Sequence, residues 1–154
     1  MDEKLIKEME NEDIEVVTIH LSGQLKGLYA DNVIAISKQL KTSAERTCIL
    51  AEELGHHYTS SGNILDQSKI ENRKQELKAR RWAVQKLIKV EDFIKAFEAG
   101  VRNRAELAEF LEVTEAFIAT SLKHFKSIYG FSCSIDNYII TFDPLCVYKH
   151  LDRE

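Results

Sequence analysis

Two acids and a histidine, Glu52, Glu53 and His56, fall within one five-residue window of the stretch CILAEELGHHYTS, residues 48–60. On an α-helix, positions i and i+4 lie one above the other, so Glu52 and His56 would present donor atoms on one face. Glu53, at i+1, would stand beside them. Two donors one turn apart with a carboxylate at i+1 form the layout by which a helix holds a metal ion and supplies a general base for hydrolysis. Histidine is the usual first donor in that layout; here it is a glutamate. The alternative frame, ending on His57, would put Leu54 at the base position, and leucine accepts no proton.

A third donor has to come from another helix. Glu76 lies on the small-residue face of the next long helical stretch, in line with Ala79 and Ala83. Glu71 is closer in sequence, but its place three residues after Ser68 marks it as a helix-capping acid. The expected site is one divalent ion held by Glu52, His56 and Glu76, with a water completing the coordination and Glu53 as base. Two carboxylates and one imidazole neutralise more of the ion's charge than one carboxylate and two imidazoles. They therefore leave the water less acidic and move preference from zinc toward harder ions. Zinc is the expected metal, with manganese as the alternative.

The elements that must position these groups are readable from capping signals and periodicity. Thr42 and Glu45 form a capping box that opens a helix over about 43–58, on which Ala44, Cys48, Ala51 and Gly55 make a stripe of small residues. Such a stripe lets another element approach the backbone closely. Ser68 and Glu71 open a second, long helix to about Lys89, and a third near 91–99 stops at Gly100. Asn103 and Glu106 cap RAELAEFLEV, and Thr114 caps EAFIATSLKHFKSIY, with Val113 and Ile118 placed as a hydrophobic staple. Ahead of these helices, IEVVTIHL and NVIAIS read as strands, with turns at Gly23 and Asp31-Asn32 and a short strand around Leu25–Tyr29 between them. An antiparallel sheet is expected there, preceded by a short, loosely attached helix over 2–11. FSCSIDNYIITFD reads as a β-hairpin turning at Asp136-Asn137 and stopped by Pro144. The fold class is α+β: a zincin-like, mainly helical domain over 1–154. It comprises a sheet and metal-site helices over 14–90, a helix-turn-helix-like part over 91–129, and the hairpin over 130–143.

The chain has 154 residues, 30% of them charged, and a net charge of -4, so it carries no global attraction to nucleic acid or anionic membrane. No apolar run approaches the length of a membrane span. The opening MDEKLIKEMENED lacks the apolar core of a secretion signal, and three cysteines, Cys48, Cys133 and Cys146, form no paired framework. A cytoplasmic protein is expected, with Cys48 a core thiol.

The ordered set of segments resembles the ImmA/IrrE family of metallo-endopeptidases, common in phages and mobile elements. The resemblance rests on GLYADNVIAIS before the helix, CILAEELGHHY for its His-Glu-x-x-His helix, QELKARRWAVQKLI for a helix with a Glu-x-x-Ala ligand motif, and AELAEFLEVTEAFI after it. Together these span roughly residues 14–125. It implies a protease that cleaves a helix-turn-helix repressor or regulator protein. It also implies an alternative, a catalytically weak or inactive homologue that acts as an anti-repressor by binding alone. The family pattern asks for histidine at position 52.

The remaining polar residues have plainer readings. The string Glu52-Glu53-His56, taken alone, also fits a solvated helix face. His57 reads as a packing or surface residue, and His20, His124 and His150 lack partners at ligand spacing. The segment around Lys69, Arg73, Lys74, Lys78, Arg80, Arg81 and Lys86 is locally basic, which fits a solvated face or a docking patch; Trp82 reads as core. A DNA-reading role for the helix after Thr114 is disfavoured by Glu115 at its start, where base contacts are made, with Lys123, His124 and Lys126 only toward its end.

Overall fold

Val33–Ser37 (β3) is the central strand of the first sheet in the structure, a computed structural model that describes residues 3–59 and 70–151. Glu15–Ile19 (β1) runs parallel to it on one side and Gly27–Ala30 (β2) antiparallel on the other. The sheet is therefore mixed, not antiparallel as the sequence suggested. Asp31 and Asn32 both adopt positive φ, 46° and 61°, which makes the tight β2–β3 hairpin that such residues favour. That hairpin takes the antiparallel edge beside β3 and leaves β1 to pair in parallel on the far side. Of the three strands, β3 is the buried one, with Ile34, Ala35 and Ile36 in the core and both neighbours more exposed.

Glu3–Asn11 (α1) is anchored, contrary to the expectation of a loose helix: Leu5 and Met9, one turn apart, are 0% and 4% exposed. Ser43–Thr59 (α2) starts as its cap predicts. The Glu45 amide donates to Thr42 Oγ1, and the Glu45 carboxylate reaches back to accept from the Lys41 amide. Ile70–Leu87 (α3) follows; Ser68, proposed to cap it, lies outside the described residues, as does the side chain of Glu71. The stripe of small residues packs α2 on α3. A Cβ on Gly55 would lie 2.4 Å from the carbonyl oxygen of Ala79, so only glycine allows the two backbones to approach this closely. Trp82 is half-buried rather than core and stacks on Tyr58, ring centroids 5.0 Å apart.

The chain divides after Leu87 into two compact units. In the second, Val90–Glu98 (α4) ends at Gly100, whose φ of 83° is the left-handed stop. Arg104–Leu111 (α5) and Glu115–Tyr129 (α6) are capped by the side chains of Asn103 and Thr114, which accept from the amides of Glu106 and Phe117. Ser132–Ile135 (β4) and Tyr138–Phe142 (β5) form the expected hairpin across Asp136. A third strand, Leu145–Lys149 (β6), pairs antiparallel with β5, so Pro144 turns the chain instead of ending the sheet. The core of this unit includes Phe93, Leu107, Ile118, Phe125, Ile140 and Phe142. Among the described residues no helix is long and apolar enough to cross a membrane.

Candidate metal centre

The close packing of α2 on α3 brings His56 and Glu76 together. His56 Nε2 lies 3.2 Å from Glu76 Oε1, with the imidazole 4% exposed and the carboxylate 24%. Glu76 is one turn before Ala79 on α3, and His56 follows Gly55 on α2, so the glycine contact sets the distance between the two side chains. Burial opposes charge on His56, but the hydrogen bond and charge of Glu76, helped by Glu53 and Glu52, outweigh it and raise the imidazole pKa. The same hydrogen bond holds the Glu76 carboxyl below its ordinary value. The pair therefore favours an imidazolium facing a carboxylate.

Glu53 occupies the gap between α2 and β2. A Cβ on Gly27 would come within 2.8 Å of Glu53 Oε1, so the bare backbone of β2 passes directly over this carboxyl. Desolvation in that gap pushes the Glu53 pKa up to about 7. The His56 charge pulls the other way, and Glu76 and Glu52 add to the rise. The pKa of Glu52, one position before it on the helix, is also raised by desolvation. Arg80 is the largest charge opposing that rise, ahead of His56 and Lys26, while Glu76 adds to it.

His57 does not join this group. Its Nδ1 is 2.7 Å from the Tyr29 hydroxyl and its Nε2 3.1 Å from Glu12 Oε2, which ties β2 and the turn after α1 to the end of α2. It is the packing residue the sequence suggested, and its partners could not have been found there, since they lie 28 and 45 positions away. His124 is buried in the second unit, whereas His20 and His150 are exposed. Arg73, Lys74, Lys78, Arg80 and Arg81 are exposed along α3. Lys86 instead ion-pairs with Glu8 and lies over the Trp82 ring.

The structure brings two of the three expected donors, His56 and Glu76, within hydrogen-bond distance of each other. Atoms bound at about 2.0–2.1 Å to a tetrahedral ion stand about 3.3 Å apart, close to the observed His56–Glu76 separation. The nitrogen concerned is Nε2, with the carboxylate Oε1 opposite it. Among the described residues no three His, Cys, Asp or Glu side chains form a group that could hold a metal ion, although Glu52 lies close enough for its charge to act on His56 and Glu53. The spacing suits a shared ion once Nε2 has lost its proton, and a full donor set is not assembled among the described residues.

Comparison with protein families matches residues 9–123 to the IrrE N-terminal-like domain, a peptidase family, and the chain belongs to that family. The match covers both α2 and α3 and supports a metallopeptidase-type function; peptidases of this family are generally metal-dependent. Comparisons with curated proteins and with solved structures returned no match.

Proposed function

We propose that the chain is a metal-dependent endopeptidase of the cytoplasm, acting on a helix-turn-helix repressor of a phage or mobile element. Glu53 is its base, and Glu52, His56 and Glu76 are its metal donors. The observation that carries this reading is the His56–Glu76 pair, with the half-buried Glu53 one turn before His56 on α2. Zinc, or manganese in its place, would supply the charge that polarises a scissile carbonyl and acidifies water. Glu53 takes the proton of the attacking water and passes it to the leaving amine. A carboxyl with a pKa of about 7 suits both transfers, because neither direction is strongly uphill at neutral pH. An extended peptide adding to the edge of β2 that is unpaired among the described residues would run beside the strand that covers Glu53, its main chain held by strand hydrogen bonds.

A second reading has its own support. The carboxylate at position 52 has Arg80 of its own chain as its largest opposing charge, an arrangement that needs no ion. In that reading the protein binds and disables the repressor without cutting it.

One experiment separates the two. Purified protein, with and without chelator, is incubated with the helix-turn-helix repressor encoded beside it, and the repressor is followed by mass spectrometry. The enzyme reading expects a defined cut, abolished by chelator and lowered by orders of magnitude in Glu53→Gln. An intact repressor, with wild type and Glu53→Gln relieving repression equally, establishes the binder.

A further inference from the structure

A cavity of about 300 Å³ opens in the second unit between α4, α5, α6 and the β5–β6 turn. Its floor is core: Phe93, Leu107, Ile118 and Leu122 line it and are between 0% and 7% exposed. Its rim carries the half-exposed Phe97, the exposed Arg102 and Arg104, and Leu145. Two arginines and no acid line this opening, in a chain that has 25 acids against 21 basic residues. Neither guanidinium forms an ion pair among the described residues. The nearest acids in sequence are occupied elsewhere. Glu106 accepts the Arg102 amide at 2.8 Å, and Glu98 accepts the Tyr138 hydroxyl at 2.6 Å.

We propose that this cavity is a docking site for an acidic protein segment that inserts one large apolar side chain and flanks it with carboxylates. The volume stands at the lower end of ligand sites and is about twice that of a cavity able to hold benzene, so one leucine- or phenylalanine-sized group enters with room to spare. An apolar floor rewards the inserted group by removing its surface from water. The arginines, planar and fork-shaped, engage flanking carboxylates in bidentate pairs and set the register of the segment. An aromatic residue and arginines around a small desolvated pocket are the composition at which binding energy concentrates in protein interfaces. All of its lining residues belong to the second unit, and the proposal holds whether or not the chain cuts what it binds.

The test uses the full chain and a fluorescein-labelled peptide with a central phenylalanine and glutamates on both sides, read by anisotropy. Binding is expected, weakening as salt rises. It should be roughly tenfold weaker for the double variant Arg102→Ala/Arg104→Ala and weaker again for Phe97→Ala. All of these positions are exposed or half-exposed, and circular dichroism checks that the variants remain folded. A peptide with serine in place of phenylalanine, or lysines in place of glutamates, should bind at least tenfold less well. Absence of binding at millimolar peptide, or equal binding of the lysine peptide, overturns the proposal. Unchanged affinity in the double arginine variant overturns it too, as does arginine-dependent binding of a DNA duplex in place of the peptide.

Discussion

A Cβ on Gly27 would stand 2.8 Å from Glu53 Oε1 and 2.5 Å from Ile49 Cγ2, so β2 lies on α2 with no space for a side chain at this point. Two strand positions on, Tyr29 faces His57, one helical turn beyond Glu53. Strand and helix thus run alongside each other, and the missing side chain at Gly27 is what admits the Glu53 carboxyl beneath the strand. The burial that raises the pKa of Glu53 to about 7 is a consequence of that contact.

Gly27→Ala should therefore act on Glu53 more than on the fold. The atoms it meets are side-chain atoms, of which Glu53 Oε1 can swing away while the β-branched Ile49 methyl cannot, so the stability cost should be about 1–3 kcal/mol. The Glu53 carboxyl, however, must leave its place. Cleavage of the repressor should fall at least ~100-fold with a cooperative melt retained, a loss of the size that misplacing a catalytic group causes. Full activity in a folded Gly27→Ala protein would show that Glu53 does not work from this position.

Gly55→Ala should fail in a different way. Its new methyl meets the main-chain oxygen of Ala79 at 2.4 Å, and main chain in a packed helix cannot rotate aside. The helices must separate, which should cost about 3 kcal/mol and lower Tm by roughly 6–12 °C. The same displacement pulls Glu76 from His56, so metal affinity should drop along with stability. Thermal melts with and without metal check both effects.

Much of this arrangement was legible in the sequence, because caps and small-residue stripes are local signals. Thr42, Asn103 and Thr114 cap as read, and Gly55 with Ala79 marked the face that joins α2 to α3. What was not legible depends on pairing at a distance. Alternation announces β1 and β3 as strands but does not say that they run parallel. The strand after Pro144 was missed because proline was read as a terminator, although LCVYK is rich in strand formers. Leu5 and Met9 share a helix face, but charged neighbours hid how deeply they are buried. Nothing in the sequence places Gly27 over Glu53, since that contact needs strand and helix already docked.

Metal-free stability should carry the signature of Glu53. Its folded pKa, about 7, lies above the ordinary carboxyl value of 4.5, so the fold favours the protonated form. The stabilisation from this group is complete below about pH 4.5 and is lost as pH rises through about 7. In chelator, Glu53→Gln removes that loss. The variant should match wild type near pH 4.5 and exceed it by up to about 3 kcal/mol near pH 8. Denaturant unfolding across this range measures the difference, and parallel curves for the two proteins would show that Glu53 titrates normally.

Glu52→His tests the position where this chain departs from its family's pattern. Imidazole is the donor better suited to zinc, and one carboxylate fewer leaves more positive charge on the ion. If position 52 is a donor, zinc affinity by calorimetry should rise about tenfold or more, and cleavage should equal or exceed that of wild type. Arg80 sets the competing effect: it now opposes the burial penalty on Glu52, and in the variant it would face an imidazole. That exchange should cost stability in the metal-free form and be recovered when zinc binds, so the melting temperature should depend on zinc more steeply than in wild type. Glu52→Gln supplies the control, because it removes the charge while keeping an oxygen within the same reach. Zinc binding that is lost in Glu52→His but kept in Glu52→Gln would show that residue 52 is not a donor, leaving the His56–Glu76 pair to hold any ion without it.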